Sequence, residues 1–284
     1  MTISNRSTSM IQTPDLTDED FRKFSVLIYE KCGICLHEGK KELVRARLNK
    51  RLRQTGIKDF KTYYHYLTQD DSGDELVVML DAISTNKTSF FREQKHFDFL
   101  FQKVFPTLKA GKFGQRFRFW SAACSSGEEP YTLAICLNEF FGHDSSINMK
   151  LLATDISTKV LNEAQQGIYS MEKLENIPLH IQRTYFQQGH GKHEGFVRVK
   201  SIVQNMVTFR RLNLMDEFPF NEVFSFIFCR NVMIYFDKKT QQKLVNKFYN
   251  CIIPGGFLFI GHSESLTGID HPFKYVQPSI YQKV

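Results

Sequence analysis

The strongest constraint on the fold of this chain is an alternation of strand and helix patterns that begins after Phe91. The strand patterns cover Arg116 to Ala122, Met149 to Thr154, Val223 to Cys229 and Gly256 to Gly261. Such an alternation predicts an α/β domain with a mostly parallel sheet and helices on both faces. The segment from Tyr275 to Val284 also has strand character, and it predicts an antiparallel C-terminal edge.

Before Phe91 the chain has helix patterns only. A capping box at Thr17-Asp18-Glu19-Asp20 begins the first helix, and a second helix from Lys40 to Gln54 ends at Thr55-Gly56. Residues 59–68 and 74–84 predict two more short helices. A chain of 284 residues has room for about two domains. We therefore predict a flexible tail at 1–14, a small all-helical domain at 15–88 and a larger α/β domain at 89–284.

A cluster of turn residues, Gly189, Gly191 and Gly195, interrupts the alternation. The segment that follows, Phe196 to Lys200, alternates apolar and polar residues with a period of two. These two features predict a small antiparallel β insertion at about residues 178–203.

The composition excludes several classes of protein. Hydrophobic residues make up 42% and charged residues 24% of the chain, as in an ordinary globular protein. No apolar run approaches the roughly 20 residues of a membrane helix, and the polar N-terminus does not resemble a signal peptide. We therefore expect a cytoplasmic protein without direct membrane insertion. The net charge of +7 favours an acidic partner.

Neither the cysteines nor the histidines have the spacing of a metal site. Of six cysteines, only Cys32 and Cys35 form a close pair. We interpret this pair as reduced thiols near a helix end, with metal or redox use as the alternative. Several histidines are interpreted as surface or structural residues: His180, His190, His193, His262 and His271. No metal is expected.

A run of small residues, Ser121 to Gly127, follows the first strand pattern and leads into Glu128 and Glu129. Ligands of open α/β sheets bind beyond the carboxyl ends of the strands, and small side chains there allow close approach to the backbone. The single glycine and the two acids disfavour a dinucleotide, which prefers G-x-G-x-x-G and a positive helix start. A ligand with a ribose and a positive centre suits these residues better.

Polar residues also end two other strand patterns. Asp155 is placed like the acids that bind ribose hydroxyls, although a role at the start of the next helix is an alternative. Arg230 and Asn231 follow seven apolar residues, which favours a ligand site, with a helix cap as the alternative.

Four segments are specific enough to indicate a family. They are NKTSFFRE at 86–93, WSAACSSGEEPY at 120–131, FCRNVMIYF at 228–236 and GHSES at 261–265. Together they closely resemble the chemotaxis receptor methyltransferases, the CheR family, and the resemblance extends from about residue 17 to the C-terminus. It implies a Rossmann-like methyltransferase domain that uses S-adenosyl-L-methionine. It also implies methylation of glutamate side chains on the cytoplasmic helices of bacterial chemoreceptors, with S-adenosyl-L-homocysteine as the product.

The resemblance further implies individual site residues. The cofactor-binding positions of the family correspond to Asn86, Thr88, Arg92, Glu129, Asp155, Asn213, Leu214, Arg230 and Asn231. Arg92 and Tyr235 correspond to residues at the place of methyl delivery and are the expected catalytic residues. Cys124, within the small-residue run, is a mild departure from the family pattern.

This chemistry needs no general base. A glutamate side chain has a reference pKa of about 4.3, so it is ionised at neutral pH and can attack a sulfonium methyl group directly. The enzyme has to align oxygen, methyl carbon and sulfur, and such positioning supplies roughly 7 to 11 kcal/mol. We expect Arg92 to orient the incoming carboxylate and Tyr235 to donate a hydrogen bond near the reacting centre.

Basic residues are concentrated between Lys40 and Lys61, where nine Lys or Arg accompany only two acids. We expect part of this surface to contact an acidic receptor helix, with a solvated helix face as the alternative. The residues expected to make that contact are Arg45, Lys50, Arg51 and Arg53.

The β insertion carries a second partner prediction, because the family can bind a C-terminal receptor peptide there by strand addition. The glycines at 189, 191 and 195 would then let the peptide backbone approach, and an ordinary hairpin is the alternative.

Two other functions compete with receptor methylation. An RNA methyltransferase would use the same cofactor, but no RNA-binding signature is present, and no nucleic-acid partner is expected. A non-catalytic receptor-binding scaffold would not need an intact site, whereas Asn86, Glu129, Asp155 and Asn231 are all present. Nothing in the sequence indicates a self-association surface, so a monomer is expected.

Overall fold

The computed structural model describes residues 14–83, 86–111, 116–142 and 148–284. The chain divides into two compact units. The first unit holds the described residues up to 83 apart from Glu30–Cys35, and the second holds Glu30–Cys35 and the described residues from 86 onward. Residues 1–13, which make up most of the predicted tail, lie outside the described residues.

The first unit is helical, as predicted. Its helices are α1 (Asp18–Cys32), α2 (Lys41–Thr55), α3 (Phe60–Gln69) and α4 (Asp74–Ile83), and the last turn of α1 belongs to the second unit. The predicted capping box is present, because the backbone N–H of Asp20 donates to the hydroxyl of Thr17 at 3.1 Å. Gly56 has a φ of 72° and ends α2 in the left-handed conformation.

A buried polar cluster links α2, α3 and α4. Arg51 of α2 donates to both carboxylate oxygens of Glu75 in α4, at 2.7 and 2.5 Å. The hydroxyl of Tyr63 in α3 donates to the same carboxylate at 2.6 Å. Burial raises the pKa of Tyr63, as does the hydrogen bond to Glu75, so the phenol stays protonated as a donor. Glu75 is only 7% exposed, and its charge is compensated inside the helical unit.

The second unit contains the predicted alternation of strands and helices. The helices are α5 (Lys95–Phe99), α6 (Phe105–Lys109), α7 (Glu128–Phe141), α8 (Thr158–Gln166), α9 (Leu179–Tyr185), α10 (Ser201–Gln204) and α11 (Lys238–Cys251). The strands are β1 (Arg116–Ala122), β2 (Asn148–Asp155), β3 (Ile168–Ser170), β4 (Phe186–Gln188), β5 (Phe196–Val199), β6 (Val207–Arg211), β7 (Phe224–Cys229), β8 (Ile252–Ile260), β9 (Lys274–Gln277) and β10 (Ile280–Gln282). A π-helical segment, Leu100–Val104, joins α5 to α6 ahead of Pro106. In the part of the chain that the structure describes, no helix is long and apolar enough to cross a bilayer.

Seven strands form the main sheet in the order β6-β2-β1-β7-β8-β10-β9. The first five are parallel to their neighbours, whereas β10 pairs antiparallel with both β8 and β9. The predicted mostly parallel sheet with an antiparallel C-terminal edge is confirmed. Strand β6 was not predicted from the sequence, because only two of its five residues are buried.

Aromatic residues fill the core on both faces of the central strand β1. Phe119 stacks on Phe226 of β7 on one face, with ring centroids 4.4 Å apart. The next residue, Trp120, belongs to the core on the other face and packs against Phe224 and Phe248, each at 5.4 Å. The indole N–H of Trp120 donates to the hydroxyl of Thr154 at 2.9 Å. This two-sided burial fixes the strand ends from which the site is built.

The predicted β insertion is a three-stranded antiparallel sheet in the order β3-β5-β4. It begins at Ile168, earlier than the predicted start near residue 178. The sequence pattern did not reveal β3 because this strand has only three residues and directly follows α8. The turn between β4 and β5 contains Gly189, Gly191 and Gly195, as expected.

We predict that Arg51→Ala destabilises the chain by about 3 to 5 kcal/mol, because it leaves the buried carboxylate of Glu75 without its cation. Arg53→Ala is the matched control, since Arg53 lies on the same helix and is exposed. Chemical denaturation followed by circular dichroism measures both free energies of unfolding. Equal stabilities for the two variants would contradict the assignment.

Candidate functional site

The carboxyl ends of the parallel strands meet along one edge of the main sheet. Ala122, the last residue of β1, lies opposite Thr154 of β2 and Cys229 of β7. The strand order reverses here, because the chain runs from β1 to β2 on one side and returns to β7 on the other. Ligands of open α/β sheets bind at such a switch point.

The loop after β1 has an unusual backbone. Ala123 and Ser125 have φ values of 65° and 50°, and Gly127 has a φ of 96°. A Cβ atom at Gly127 would lie 2.8 Å from the Cβ of Ala164 and 3.0 Å from the hydroxyl oxygen of Tyr169, so only glycine fits. Strained backbone of this kind is concentrated at functional sites.

Asp155 joins this loop to the loop after β2. Its Oδ2 accepts from the backbone N–H of Ser125 at 2.8 Å, and its Oδ1 accepts from that of Ser157 at 3.0 Å. The N-cap of α8 is Ser157, whose hydroxyl accepts from the N–H of Val160 at 3.2 Å. Ser157 is therefore the cap, and Asp155 both supports the start of α8 and lies at the strand end where a ribose-binding acid is expected.

Arg230, directly after β7, makes the central interaction of the site. Its side chain is 2% exposed. Its Nη2 lies 3.1 Å from Oε2 of Glu93, and its Nη1 lies 3.2 Å from Oε2 of Glu129. Nη2 also donates to the backbone carbonyl of Arg92. The alternative of a helix cap is excluded, because the guanidinium joins two acids from separate segments.

The two carboxylates beside Arg230 are in different electrostatic states. Burial raises the pKa of Glu129, although Arg230 and the hydroxyl of Ser121, which donates at 2.7 Å, oppose this. Burial also acts to raise the pKa of Glu93, but Arg230 and hydrogen bonds outweigh it, and the pKa is lowered. One of those bonds comes from the amide of Asn231 at 3.2 Å. Glu93 is thus the firmly ionised partner of Arg230.

Glu128, next to Glu129, has a different role. It is fully buried, accepts from the hydroxyl of Ser126 at 2.7 Å and forms an ion pair with Lys173. The hydroxyl of Tyr169 donates to the carbonyl of Ser126 at 2.7 Å. Since Tyr169 and Lys173 belong to the insertion, Glu128 attaches the small sheet to the loop after β1. Glu128 is therefore engaged within the protein, and the expectation of a positive ligand stays a prediction for Glu129 alone.

Arg92 and Tyr235 lie close enough for the charge of Arg92 to affect the pKa of Tyr235. Burial raises the pKa of Tyr235, and the Arg92 guanidinium acts to lower it. The same guanidinium acts to lower the pKa of Glu129. Arg92 also donates to the backbone carbonyl of Lys87 at 2.9 Å, which closes the 87–92 segment on itself.

Glu264 shapes the loop that carries Asn231 and Tyr235. Its carboxylate accepts from the backbone N–H groups of Gly261, Asn231 and Ile234, at 2.5, 2.9 and 3.2 Å. Burial raises the pKa of Glu264, and these hydrogen bonds oppose the shift. Asn231 has a φ of 58°, so the carboxylate holds a loop whose backbone is left-handed at this residue. Sequence reasoning missed Glu264, although the GHSES segment contains it.

Two family models match the chain. The all-alpha domain of CheR methyltransferases matches residues 19–84, and the S-adenosylmethionine-binding domain of CheR methyltransferases matches residues 86–281. The chain belongs to the CheR methyltransferase family. Its helical first unit and its α/β second unit correspond to these two domains.

Relatives match over most of both chains. The chemotaxis protein methyltransferase of Borreliella burgdorferi is 43% identical, over 95% of this chain and 95% of the relative. That of Escherichia coli is 40% identical, over 94% and 91%. Chemotaxis protein methyltransferase 2 of Pseudomonas aeruginosa is 38% identical, over 93% of each.

The segment Asn86 to Arg92, which carries the first CheR motif, reaches the loop after β1. The backbone carbonyl of Asn86 accepts from the hydroxyl of Ser125 at 3.1 Å. Thr88 lies in the same segment and is partly buried. The structure therefore brings Asn86 to the carboxyl edge of the sheet, and Thr88 follows it by two residues.

Asn213 and Leu214, which correspond to cofactor-binding positions of the CheR family, follow strand β6. The amide of Asn213 donates to the carbonyl of Lys31 at 2.8 Å, and its Oδ1 accepts from the N–H of Met215 at 3.1 Å. Leu214 is buried in the core. The pair lies near Asp155, whose carbonyl accepts from the N–H of Leu212 at 3.0 Å.

The four basic residues expected to contact a receptor are not equivalent. Arg51 is bound to Glu75 and only 18% exposed, so the structure contradicts a surface role for its guanidinium. Arg45 forms ion pairs with two acids on the surface and is 41% exposed. Lys50 and Arg53 are exposed and remain the candidates for a partner contact.

The three glycines of the insertion form the β4–β5 turn. The N–H of Gly189 donates to the carbonyl of Phe196 at 2.9 Å, and a Cβ there would lie 2.2 Å from the carbonyl oxygen of His193. Gly191 and Gly195 have φ values of 59° and 82°. The turn itself explains these glycines, so they give no separate indication of a peptide.

We predict that Glu264→Gln lowers the free energy of unfolding by about 1 to 3 kcal/mol, because its amide places a donor against backbone N–H groups. It should also lower the rate of methyl transfer, since Asn231 and Tyr235 lose their support. Glu172→Gln, an exposed position, is the control. Thermal unfolding and initial rates are the measurements, and unchanged values for both variants would contradict the role.

Proposed function

We propose that this chain transfers a methyl group from S-adenosyl-L-methionine to the side-chain carboxylate of glutamates on bacterial chemoreceptors. The products are a glutamate methyl ester and S-adenosyl-L-homocysteine. The observation that carries the proposal is the buried Arg230–Glu93–Glu129 cluster at the strand switch point of a CheR-family domain. The relatives named chemotaxis protein methyltransferase support the choice of acceptor.

The residues at the switch point suit the cofactor. Gly127 lets the loop after β1 pack closely against Ala164 and Tyr169, and Asp155 ends β2 as a ribose-binding acid would. Glu129 offers a carboxylate for a positive group. The remaining positions that we propose to hold the cofactor are Asn86, Thr88, Arg92, Asn213, Leu214, Arg230 and Asn231.

The cofactor supplies a methyl group on a sulfonium, which makes the methyl carbon open to attack. In the proposed transfer the glutamate oxygen would form the new bond to the methyl carbon, the electron pair of the broken bond would stay with the sulfur, and no proton would be transferred. The protein therefore needs to position the carboxylate and does not need a base. Arg92 supplies a positive charge for that purpose, and the half-buried Tyr235 keeps its hydroxyl protonated as a donor because burial raises its pKa.

The first test uses radiolabelled S-adenosylmethionine, the purified chain and membranes that contain demethylated chemoreceptors. Methyl esters hydrolyse in alkali and release methanol, whereas N-methyl groups do not. We expect base-labile label on the receptor band. Base-stable label would show a different acceptor atom, and label that appears only on added RNA would favour an RNA methyltransferase.

We predict that Arg92→Ala abolishes transfer, because the carboxylate loses its orienting cation. Tyr235→Phe should reduce the rate about tenfold, the effect of one lost hydrogen bond. Arg92→Lys is the matched variant that keeps the charge, and calorimetry with S-adenosylhomocysteine separates cofactor binding from transfer. Full activity of both Arg92→Ala and Tyr235→Phe would contradict the assignment.

We propose that the exposed cations of α2 contact an acidic receptor helix. Lys50→Glu and Arg53→Glu should each lower kcat/KM for receptor, by about tenfold at low salt, because they remove electrostatic steering. Added salt should lower the transfer rate of the wild type. It should lower the rates of both variants less steeply. Lys243→Glu, an exposed reversal on α11, is the control, and equal losses in all three variants would indicate only a general charge effect.

We also propose that a receptor tail peptide adds to an edge of the β3-β5-β4 sheet, where β3 and β4 are the outer strands. Immobilised tail peptide should retain the wild-type chain and not a variant that lacks residues 189–195. Circular dichroism verifies that the variant is folded. Retention of both proteins would contradict peptide binding at this sheet.

A further inference from the structure

His96, in helix α5, is a buried residue that the proposed transfer reaction does not use. Its side chain is fully buried, and neither ring nitrogen has a hydrogen-bond partner in the described part of the chain. Buried polar atoms in proteins are nearly always satisfied, so two such atoms in one ring call for a physical explanation such as an ion.

The surroundings of His96 contain two further ligand atoms. Its Nδ1 lies 3.6 Å from Oε2 of Glu93. The ring of His262, which directly follows β8 and Gly261, has its centroid 4.8 Å from that of His96. One ligand atom from each of these three residues lies within 4.8 Å of the other two. His262, interpreted from the sequence as a surface or structural residue, is thus part of a three-residue cluster.

Packing fixes His96 in place. Its ring meets Phe259 edge-on at 5.6 Å and Phe228 at 6.0 Å. Binding of one ion by all three residues requires the exposed side chain of His262 to move toward the other two.

We propose that Glu93, His96 and His262 bind a divalent transition metal of the zinc type. Two imidazoles and one carboxylate form a common set of three protein ligands for zinc, with a fourth position left for solvent. A hard ion such as magnesium would prefer oxygen ligands, so it is not the expected occupant.

A metal ion bound at these three residues opposes cofactor binding and methyl transfer. This part of the inference rests on the proposed function. Oε2 of Glu93 lies 3.1 Å from Arg230, so a metal ion on that oxygen competes with the central ion pair. Arg230 also forms an ion pair with Glu129. A metal ion that displaces Arg230 from Glu93 would therefore also affect Glu129, a residue proposed to bind the cofactor. By linkage, the cofactor must weaken metal binding by the same factor.

The binding test uses the full chain, stripped of metal with a chelator and then titrated with Zn²⁺ in competition with a chromogenic chelator. We expect one tight zinc ion per chain in the wild type, at least ~10-fold weaker binding in His262→Gln and none in His96→Phe. His193→Gln, an exposed histidine outside the cluster, is the matched control. His262→Gln keeps the test valid if His96→Phe does not fold.

Cobalt distinguishes this cluster from the cysteines. Co²⁺ held by nitrogen and oxygen should show no thiolate charge-transfer absorption. Such absorption, or equal zinc affinity in the wild type and in His262→Gln, would overturn the site.

The functional test adds S-adenosylhomocysteine to the zinc titration and zinc to the transfer assay. We expect the product to weaken zinc binding, and zinc to slow transfer in the wild type more than in His262→Gln, each relative to its own zinc-free rate. Zinc binding that leaves both quantities unchanged would overturn the antagonism. Absence of transfer both with and without zinc would overturn the proposed function and leave the binding result intact.

Discussion

The buried guanidinium of Arg230 is the interaction on which the rest of the site depends. A charge with 2% exposure is costly unless it is fully compensated, and here two carboxylates and a backbone carbonyl provide that compensation. Glu93 lies ahead of α5, Glu129 lies in the first turn of α7, and Arg230 follows β7. The requirement to neutralise one cation therefore fixes the positions of three segments that are far apart in sequence. The same requirement explains how loops of the second unit can hold the side chains of the site in fixed positions.

The two acids at the start of α7, Glu128 and Glu129, have different partners. Glu129 faces Arg230 and the strand switch point, whereas Glu128 pairs with Lys173 of the insertion. The small sheet is thus attached directly to the loop on which cofactor binding is proposed. A similar division exists in the first unit, where Arg51 stabilises the helices while Lys50 and Arg53, close to it in sequence, remain exposed.

Patterns that depend on neighbouring residues were predictable from the sequence, and contacts between distant residues were not. The apolar run of β7 and the capping box at Thr17 gave correct elements, because local burial and hydrogen bonding determine them. The family segments indicated Arg230, but its pairing with Glu93 joins residues 137 positions apart. Charge counting placed Arg51 on the surface because Glu75, 24 residues later, carries no local signal of its burial.

The backbone of the site limits which amino acids can occupy it. Among the described residues, six non-glycine positions have positive φ, and five of them lie at or beside the site: Phe91, Glu93, Ala123, Ser125 and Asn231. Valine, isoleucine and threonine are poorly tolerated in that conformation, whereas glycine and asparagine adopt it at little cost. The range of acceptable mutations at these positions is consequently set by torsion angles before any ligand is considered. An engineer who alters the specificity of this site can therefore choose from fewer amino acids at these positions than their partial exposure suggests.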